Sequence, residues 1–336
     1  MKKKIVILGG SGYLGTTLCA SLLAQSHEVL CIDCCWFGEE ALNSFSNDRN
    51  FTLIKHDLRK LDDLETFLKN AYAVINLAGI VGDPACELDN AYAKTCNYQV
   101  AQKSAVISKR LGISRYLFAS SCSVYGKTEH NRLTESSNTL PLSYYAQDKL
   151  DSEIAIKALA SDDFHPTILR LSTLFGWSSR MRFDLVINLL TARASLAKPL
   201  RVFGGKQWRP FLHIKDASQA FEKILFSDLP IVSNQIFNVG SDQNNFRIID
   251  VANLIARKIP TTLELLKTET DQRDYRVDFS KIHQLLNFNS TITIENAIEE
   301  IRANILTDQI KDIEKPVFHN VLMMKNIYSL PNKVVA

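Results

Sequence analysis

The chain has 336 residues, enough for a large core and for two domains or for one domain with an added lobe. Hydrophobic residues make up 46% of it and charged residues 22%, an ordinary composition for a soluble globular protein. The net charge of +3 is too small and too dispersed to indicate a nucleic-acid partner. We find no apolar run long enough to cross a bilayer, so we predict no membrane span.

The cysteines and the first residues bear on the cellular compartment. The seven cysteines are an odd number without the paired spacing typical of metal sites, so we predict no metal site. Several lie in apolar runs, and we interpret them as reduced, mostly buried thiols of a cytoplasmic protein. Lys2-Lys3-Lys4 precedes only four apolar residues before the first glycines, which predicts a strand and not the core of a signal peptide.

Short apolar runs alternate with longer helical patterns through the first half of the chain. The apolar runs predict strands over residues 5–8, 27–33, 51–54, 73–77, 115–119 and 167–171. The helical patterns lie between these strands, over 14–25, 61–69, 98–111 and 146–160. Because buried parallel strands joined by helices form right-handed βαβ units, the sequence predicts an α/β protein with a Rossmann-type doubly wound parallel sheet.

The pattern changes after residue 176. A helix is predicted over 180–196, a turn at Gly204-Gly205, and a late strand over 236–239 that rejoins the sheet. The remainder is more polar and mostly helical. We therefore predict a first domain over 1–175 with a returning segment near 213–250, and a smaller, mostly helical C-terminal lobe over 176–212 and 251–336.

A glycine-rich loop follows the first strand and opens the first helix. Glycines 10, 12 and 15 fit the pattern G-x-G-x-x-G, and glycines 9, 12 and 15 fit G-x-x-G-x-x-G. Without Cβ atoms the backbone N–H groups can approach a diphosphate, and the helix N-terminus adds partial positive charge. At this place in the chain the loop predicts a dinucleotide site, with a plain strand-to-helix turn as the alternative.

Asp33 ends the second predicted strand, 21 residues after Gly12. A carboxylate at this position accepts hydrogen bonds from both ribose hydroxyls of NAD and repels the 2′-phosphate of NADP. No Arg follows Asp33 closely, so the charge pattern favours NAD, although an Asp at a strand end can also cap a turn. Asp57, at the end of the third strand, either contacts the adenine amino group or caps the next helix.

Tyr145 and Lys149 are four residues apart on a predicted helix, so they share one face. A free Tyr has a pKa near ~10, and both a nearby ammonium group and the positive nicotinamide ring favour the phenolate and lower this pKa. The pair therefore predicts an acid/base tyrosine, with Lys149 beside the nicotinamide ribose. An ordinary solvated Tyr/Lys pair is the alternative. Tyr144 has Asp148, and not a Lys, four residues further on.

A serine-rich segment, S-S-C-S-V-Y-G over 120–126, directly follows the fifth strand. The carboxyl ends of parallel strands form the edge where such sheets bind their ligands. A Ser hydroxyl at this edge can hydrogen-bond the reacting oxygen of a substrate and share its proton with Tyr145. A polar turn rich in small residues is the alternative.

Taken together, these residues resemble the extended short-chain dehydrogenase/reductase family, and within it the NAD-dependent nucleotide-sugar epimerase/dehydratase group, such as UDP-glucose 4-epimerase. The resemblance extends to about residue 290 and implies that the first domain binds NAD and the smaller lobe binds the substrate. Its marks in chain order are G-G-S-G-Y-L-G (9–15), Asp33, H-D-L (56–58), N-L-A-G (76–79), Asn97, S-S-C-S-V-Y-G, S-Y-Y-A-Q-D-K (143–149), R-L-S-T-L-F-G (170–176), R-P-F-L-H-I-K-D (209–216), F-N-V-G-S (237–241) and D-Q-R-D-Y-R-V-D (271–278).

The resemblance also implies roles for the residues that match the family. The implied catalytic residues are Ser121, Tyr145 and Lys149. The implied NAD-binding residues are Gly9, Ser11, Gly12, Tyr13, Leu14, Gly15, Asp33, Asp57, Leu58, Leu77, Ala78, Gly79, Asn97, Tyr145 and Lys149. The implied substrate-binding residues, whose two arginines would hold the diphosphate, are Val81, Ser121, Ser123, Thr173, Asn188, Arg209 and Arg273. Trp208 either stacks on the nucleotide base or belongs to the core.

Departures from the family narrow the predicted activity. Sugar-nucleotide 4,6-dehydratases carry Asp-Glu where this chain has Cys122 and Ser123, so dehydration is disfavoured, and related decarboxylases also have Glu where Ser123 stands. Enzymes that epimerise beside a ketone have a Cys one position later than Cys122. A one-residue shift reverses the side chain in extended backbone, which disfavours an acid/base role for Cys122. Thr173 replaces the Asn of the 4-epimerase, so the sequence does not identify the sugar of the substrate.

We therefore predict an NAD-dependent epimerase that acts on a nucleotide-activated sugar through a transient 4-keto intermediate, with Tyr145 taking the C4 hydroxyl proton as hydride passes to NAD⁺. The alternatives are an NAD(P)H-dependent nucleotide-sugar 4-ketoreductase with the same catalytic residues and a non-catalytic dinucleotide-binding protein. Helices 98–111 and 146–160 resemble the dimer-forming pair of the family, so we expect a homodimer. The segment 316–336 has no family counterpart and packs either on the lobe or against a second subunit.

Overall fold

The computed structural model describes residues 2–60, 63–266, 272–307 and 310–329, without the side chains of 128–131. Asp271, the first residue of the D-Q-R-D-Y-R-V-D motif, lies outside the described residues, as do the first two positions of the helix predicted over 61–69 and the end of the tail after 329. None of the described helices is both long enough and apolar enough to cross a membrane.

The strands predicted in the first half of the chain are all present, within two residues of their predicted bounds. The strands in the described part of the chain are β1 (Lys4–Leu8), β2 (Glu28–Asp33), β3 (Phe51–Lys55), β4 (Ala73–Asn76), β5 (Arg115–Ser121), β6 (Lys127–Leu133), β7 (His165–Leu171), β8 (Thr173–Phe175), β9 (Leu200–Phe203), β10 (Trp208–His213), β11 (Ile236–Val239), β12 (Asn245–Arg247), β13 (Leu263–Leu266) and β14 (Asp274–Val277).

The central sheet, within the described residues, has seven strands in the order β11-β7-β5-β4-β1-β2-β3. Every neighbouring pair in it is parallel. β1 lies between β4 and β2, and Val6 pairs with Leu30 on one side and with Val74 on the other. The inner strands are mostly apolar and buried because both faces of a parallel sheet are covered. The predicted α/β class with a doubly wound parallel sheet is confirmed.

The helices either cover the sheet or build the lobe. The predicted helix over 180–196 begins only at Val186. Before it, Arg182 pairs with Asp184 two residues further on, a spacing that a helix does not bring together. A π-helical turn (Thr95–Gln99) leads into the helix predicted over 98–111. The described helices are α1 (Tyr13–Ala24), α2 (Leu64–Leu68), α3 (Asp83–Cys86), α4 (Asn90–Lys94), α5 (Val100–Arg110), α6 (Tyr144–Lys157), α7 (Val186–Ser195), α8 (Ile214–Phe226), α9 (Leu229–Val232), α10 (Ile248–Lys258), α11 (Ser280–Leu286), α12 (Ile294–Thr307) and α13 (Asn320–Ser329).

Residues after 176 both return to the sheet and build the lobe. β11 is an edge strand beside β7, and α8 packs against α1. In the described structure the small sheets β12-β10-β8 and β14-β6 join the lobe to the first domain, whereas the sheet β13-β9 lies within the lobe. The region after 250 was predicted as mostly helical, yet it also contains β13 and β14. Strands of four residues are too short to show an alternating pattern in the sequence.

Apolar side chains cover both faces of the central sheet. On one face Leu18 and Leu22 of α1 pack with Phe221 of α8, and on the other Ala101 and Ala105 of α5 pack against the strands. The lobe has a core of its own between α7, α10 and α12. The seven cysteines are free thiols, and all of them except Cys34 are buried. Because neighbouring strands of the central sheet are parallel, their carboxyl ends lie together at one edge of the sheet, facing the lobe.

Candidate active site

A cleft with an empty volume of about 1590 Å³, counted out into the open solvent, lies at the carboxyl edge of the central sheet. The segments that follow β1, β2, β3, β4 and β5 line it, which is where doubly wound sheets bind their ligands. Most of the residues singled out in the sequence lie in this lining, namely Gly9, Ser11, Gly12, Tyr13, Leu14, Gly15, Asp33, Asp57, Leu58, Leu77, Ala78, Gly79, Val81, Ser121, Tyr145, Lys149, Thr173 and Arg273.

The glycine loop leaves room for a diphosphate at the start of α1. A Cβ at Gly9 would lie 2.7 Å from the backbone N of Ala78, and the φ of +85° at Gly9 also requires glycine. A Cβ at Gly12 would meet only the Gly9 carbonyl oxygen, at 3.4 Å, so packing does not require this glycine. Gly12 is the N-cap of α1 and makes no side-chain cap, so the first N–H groups of the helix can bind an anion. The loop therefore fits the diphosphate of NAD.

Asp33 is oriented by backbone N–H groups at the end of β2. Its Oδ2 accepts a hydrogen bond from the Ser11 N–H at 2.9 Å, and its Oδ1 accepts one from the Cys35 N–H at 2.9 Å. Each oxygen keeps a second acceptor position, which fits the paired ribose hydroxyls of NAD. Asp57 also lines the cleft, and Arg59 Nε donates to its Oδ1 at 2.9 Å. Burial opposes the ionisation of Asp57, but the hydrogen bonds from Arg59 outweigh it and lower the pKa of Asp57.

Tyr145, in the first turn of α6, is 8% exposed and lines the cleft. Its hydroxyl lies near Ser121, whose side chain favours the ionised phenol. Burial raises the pKa of Tyr145 above its ordinary value, while Arg182 and Ser121 act in the opposite direction. A lowered pKa was expected, but Lys149 Nζ lies 5.8 Å from the centroid of the Tyr145 ring, and burial outweighs the favourable charges. The groups of the chain itself therefore hold Tyr145 as a neutral phenol.

Lys149 lies one turn further along α6 and is 2% exposed. Its Nζ donates to the carbonyl oxygen of Ala119 on β5 at 2.7 Å and lies 4.7 Å from the centroid of the Phe118 ring. Burial lowers the pKa of Lys149 to about 8. An ammonium group has three donors, so two remain for a ribose hydroxyl in the cleft.

Ser121 ends β5 in extended backbone, which sends the next side chain to the opposite side. Its Oγ accepts from the Ser123 N–H at 3.1 Å and from the Ser123 hydroxyl at 2.9 Å. Ser123 was predicted to bind the substrate, but it is buried behind Ser121 and does not line the cleft. Cys122 is 1% exposed, its Sγ donates to the Arg170 carbonyl oxygen, and burial raises its pKa, all of which disfavour an acid/base role.

Two asparagines from the prediction support the cleft from behind and do not line it. Asn97 is fully buried, and its side chain accepts from the Ile80 N–H at 2.7 Å and donates to the Ile80 carbonyl oxygen at 3.1 Å. Asn188 is also fully buried, donates to the Tyr13 hydroxyl at 3.0 Å and accepts from the Gly176 N–H at 3.0 Å. These internal hydrogen bonds occupy the amide groups that were expected to reach NAD and the substrate.

The two predicted diphosphate arginines have different surroundings. Arg273 lines the cleft, and its Nη1 pairs with Asp83 Oδ2 at 2.8 Å. Arg209 is 4% exposed outside the lining, and its Nη1 donates to the carbonyl oxygens of Trp208, at 2.7 Å, and Arg273. Trp208, for which base stacking and a core role were both open, does not line the cleft either. Arg209 therefore supports the segment that carries Arg273.

Arg180, Arg182 and Asn320 line the cleft and were not predicted. A signal for the first two is present in the sequence, because 180–184 alternates charged residues with the buried Met181 and Phe183. Strict alternation is typical of extended chain, and it conflicts with the helix that was predicted there. Asn320 follows the part of the chain that resembles the family, and nothing in its sequence neighbourhood marks it.

Comparison with known proteins places the chain in a family. A model of the NAD dependent epimerase/dehydratase family matches residues 5–240. The chain is 26% identical over 308 residues, 88% of its length and 95% of the relative's, to a Bacillus subtilis (strain 168) protein described as an uncharacterized UDP-glucose epimerase, YtcB. It is 23% identical over 330 residues, 92% of its length and 71% of the relative's, to UDP-glucuronic acid decarboxylase 4 of Arabidopsis thaliana.

The fold also matches solved structures. The crystal structure of UDP-glucuronic acid 4-epimerase from Bacillus cereus, in complex with UDP-glucuronic acid and NAD, superposes with a TM-score of 0.81 at 25% identity and covers 90% of this chain and 99% of that one. The predicted family, the NAD cofactor and the activity of a nucleotide-sugar epimerase all agree with these relatives. Since the family model spans well over half of the sequence, the chain belongs to the NAD dependent epimerase/dehydratase family and is an NAD-dependent enzyme of the extended short-chain dehydrogenase/reductase type.

Proposed function

We propose that the protein interconverts the C4 epimers of a UDP-activated hexose or hexuronic acid while NAD stays in the cleft. The observation that supports this best is that Ser121, Tyr145 and the buried Lys149 line the same cleft as the glycine loop. UDP as the carrier is inferred from the names of the relatives. The diphosphate of such a substrate is an anion, and the lobe brings Arg182 and Arg273 into the lining.

The catalytic residues each act at a stated atom. Tyr145 Oη removes the proton of the C4 hydroxyl and later returns a proton to the C4 oxygen. Ser121 Oγ, near Tyr145 in the cleft, orients the same sugar oxygen. The ammonium group of Lys149 would hold the nicotinamide ribose. Together with the positive nicotinamide ring of bound NAD⁺, this ammonium group would oppose the effect of burial and favour the phenolate form of Tyr145. The chemistry supplied by bound NAD is the reversible uptake of hydride from C4.

The lining disfavours dehydration and decarboxylation. The family's dehydratases and decarboxylases carry an acid after the catalytic Ser/Thr, whereas here Cys122 is buried in the core and Ser123 supports Ser121. Among the described lining residues the carboxylates are Asp33 and Asp57, which follow β2 and β3 on the cofactor side of the cleft. Epimerisation at C4 needs no further acid, because one phenol both removes and returns the proton.

The test uses the protein as purified. Its nucleotide is released and identified, and the protein is then incubated with UDP-glucose, UDP-glucuronic acid and GDP-glucose without added cofactor. We expect bound NAD and formation of the C4 epimer of a UDP-sugar, followed by NMR. Product formation only in proportion to added NAD(P)H would show a 4-ketoreductase instead. Bound NAD without turnover of any nucleotide sugar, in a wider panel, would favour a non-catalytic protein.

A homodimer through α5 and α6 is part of the proposal. Val106 on α5 is 43% exposed and Ile154 on α6 is 63% exposed, so apolar side chains lie on the outer faces of these adjacent helices. Light scattering should give a dimer for the wild type and a monomer for Ile154→Glu. Leu306→Glu, at an apolar position on α12 that is 56% exposed, is the control and should remain dimeric. A monomeric wild type would contradict the dimer.

The assignment of NAD and substrate binding to separate parts of the chain, and the cellular location, are proposed on separate grounds. Residues 1–175 and 213–250 carry the glycine loop and the sheet, so we assign NAD binding to them and substrate binding to 176–212 and 251–336, which contribute Arg182 and Arg273. Free thiols at all seven cysteines support a cytoplasmic location, where thiols stay reduced. Cell fractionation tests the location, and recovery of the protein from an oxidising compartment would contradict it.

A further inference from the structure

Arg180 is a buried cation in the cleft. Its side chain is 4% exposed, and its guanidinium carbon lies 3.6 Å from the centroid of the Phe37 ring. Within the described part of the chain its Nε has no hydrogen-bond partner. Burial and, secondly, repulsion from Arg182 lower the pKa of Arg180 to about 9. The carboxylates of Asp184 and Asp33 act in the opposite direction without cancelling the effect of burial. A buried guanidinium group with an unpaired nitrogen is costly in free energy unless an anion binds beside it.

Asn320, the first residue of α13, holds Arg180 in position. Its Oδ1 accepts from Arg180 Nη2 at 2.7 Å, and its Nδ2 donates to the Val81 carbonyl oxygen at 2.8 Å. The Asn320 backbone N–H donates to Asp184 Oδ2 at 3.0 Å, and Asp184 in turn pairs with Arg182. One asparagine therefore ties both arginines of this segment to the wall of the cleft.

The rest of α13 is anchored close to the catalytic residues. Met324 and Ile327 are buried in an apolar cluster that also contains Ile80 and Tyr145. The segment 316–336 has no counterpart in the family resemblance, and its described part, up to 329, packs on the cleft. α13 therefore packs in the same cluster as Tyr145 and also holds Arg180.

The contacts of Arg180 place it across the glycine loop. Phe37, on which the guanidinium stacks, follows β2, and Val81, to which Asn320 ties it, follows β4. β1 lies between β2 and β4 in the sheet, so the loop that follows β1 lies between these two anchor points. The diphosphate of a dinucleotide binds at this loop and at the N-terminus of the helix behind it. Arg180 therefore faces the diphosphate position from the opposite side.

We propose that Arg180, positioned by Asn320, binds the diphosphate of NAD from the lobe side, so that the C-terminal helix completes the cofactor site. The diphosphate then lies between the N–H groups of α1 and a guanidinium group, which favours its retention through a redox-neutral cycle. This inference rests on NAD as the cofactor and not on the sugar. It can therefore fail while the proposed epimerase activity holds, and the reverse is also true.

The test measures binding to the nucleotide-free enzyme by calorimetry, with NAD⁺, ADP-ribose and adenosine as probes. Arg180→Met should weaken the binding of NAD⁺ and of ADP-ribose by the same factor, about 10- to 100-fold. Both ligands lose a charge-assisted hydrogen bond to phosphate in this variant. Adenosine has no phosphate and should bind as it does to the wild type. Arg180→Lys keeps the charge without the forked donors and should recover part of the loss. Arg201→Met, at an exposed arginine of the lobe, is the matched control.

The role of Asn320 is tested in the same assay. Asn320→Ala should lose less affinity for NAD⁺ and ADP-ribose than Arg180→Met does. Asn326→Ala, on the exposed side of α13, should lose no affinity. Because Asn320 acts through Arg180, the double variant should lose no more than Arg180→Met alone. Additive losses would overturn the role of Asn320.

Two results would overturn the role of Arg180 itself. One is an Arg180→Met variant that binds NAD⁺ as tightly as the wild type. The other is a variant whose affinity for adenosine falls as much as its affinity for ADP-ribose, since this would show a disturbed fold and not a missing phosphate contact. Circular dichroism of each variant accompanies the titrations, and Asn320→Ala provides the same test if Arg180→Met does not fold.

Discussion

Ser121 at the end of β5 and Tyr145 in the first turn of α6 lie near each other in the lining of the cleft. One residue comes from the sheet and the other from the helix packed on it, so the pair forms only when the first domain is folded. Burial raises the pKa of Tyr145, and the Ser121 side chain works against this rise. The acid/base chemistry at C4 is therefore assigned to one phenol and one hydroxyl, without a carboxylate.

Replacing Tyr145 by Phe should lower kcat by about 100- to 10,000-fold, because the variant lacks the hydroxyl that exchanges the C4 proton. The ring still packs in the apolar cluster with Met324, so the unfolding temperature should stay close to that of the wild type. NMR rates of epimer formation, at equal content of bound NAD, measure the effect. Tyr144→Phe, at a 55% exposed position on the same helix, is the control and should keep the wild-type kcat. A Tyr145→Phe rate within a few-fold of the wild type would contradict the mechanism.

Lys149 should make the stability of the nucleotide-free protein depend on pH. Burial lowers its pKa from 10.5 to about 8 in the folded state. Below pH ~8 the lysine is charged in both states, and its burial is a constant cost. Between pH ~8 and ~10 the unfolded chain binds more protons than the folded protein, so the contribution of Lys149 to the free energy of unfolding rises with pH.

Urea denaturation of the wild type and of Lys149→Met measures this dependence. The difference in unfolding free energy should shift in favour of the wild type by about 2 kcal/mol between pH ~7 and ~9.5. Thiols and phenols that titrate in the same range occur in both proteins, so their effects largely cancel in the difference. A difference that stays constant with pH would show that Lys149 keeps its charge in the folded protein.

The parts of the site that could be predicted are those set by local spacing. The glycine loop, Asp33 and the pair of Tyr145 and Lys149 each combine a short motif with its place at a strand end or on a helix face, and all of them lie in the cleft. The contact between Arg180 and Asn320 joins residues 140 positions apart, and no local pattern can show it. Motif position also cannot tell whether a side chain faces the cleft or supports it. Asn97, Asn188 and Arg209 match the family, and Ser123 lies within a family motif, yet all four lie outside the lining.

Glu153 should be important for stability, because it forms a buried ion pair with Arg170 beneath the catalytic residues. The two side chains are 2% and 4% exposed, and Arg170 donates to both carboxylate oxygens, while the Ser120 hydroxyl donates to the same carboxylate. Glu153→Gln leaves the guanidinium without its counter-charge and should cost about 3–5 kcal/mol in urea denaturation. Glu264→Gln, in an exposed pair with Arg201, is the control and should change stability far less. Equal effects of the two substitutions would show that burial of the pair adds nothing.

Gly12 and Gly15 should respond differently to replacement by Ala. A Cβ at Gly15 would lie 2.5 Å from the Gly9 carbonyl oxygen and 2.6 Å from Gly10 Cα, so Gly15→Ala should destabilise the nucleotide-free protein by about 1–3 kcal/mol. Gly12 has φ −75°, which any residue adopts, and an added Cβ meets only one atom, at 3.4 Å. Gly12→Ala should therefore keep the wild-type stability and weaken NAD⁺ binding at least tenfold, because its methyl group occupies the diphosphate position. Thermal unfolding and calorimetry separate the two effects. If Gly12→Ala bound NAD⁺ normally, the diphosphate would not lie on this loop, and Arg180 would face a different part of the cofactor.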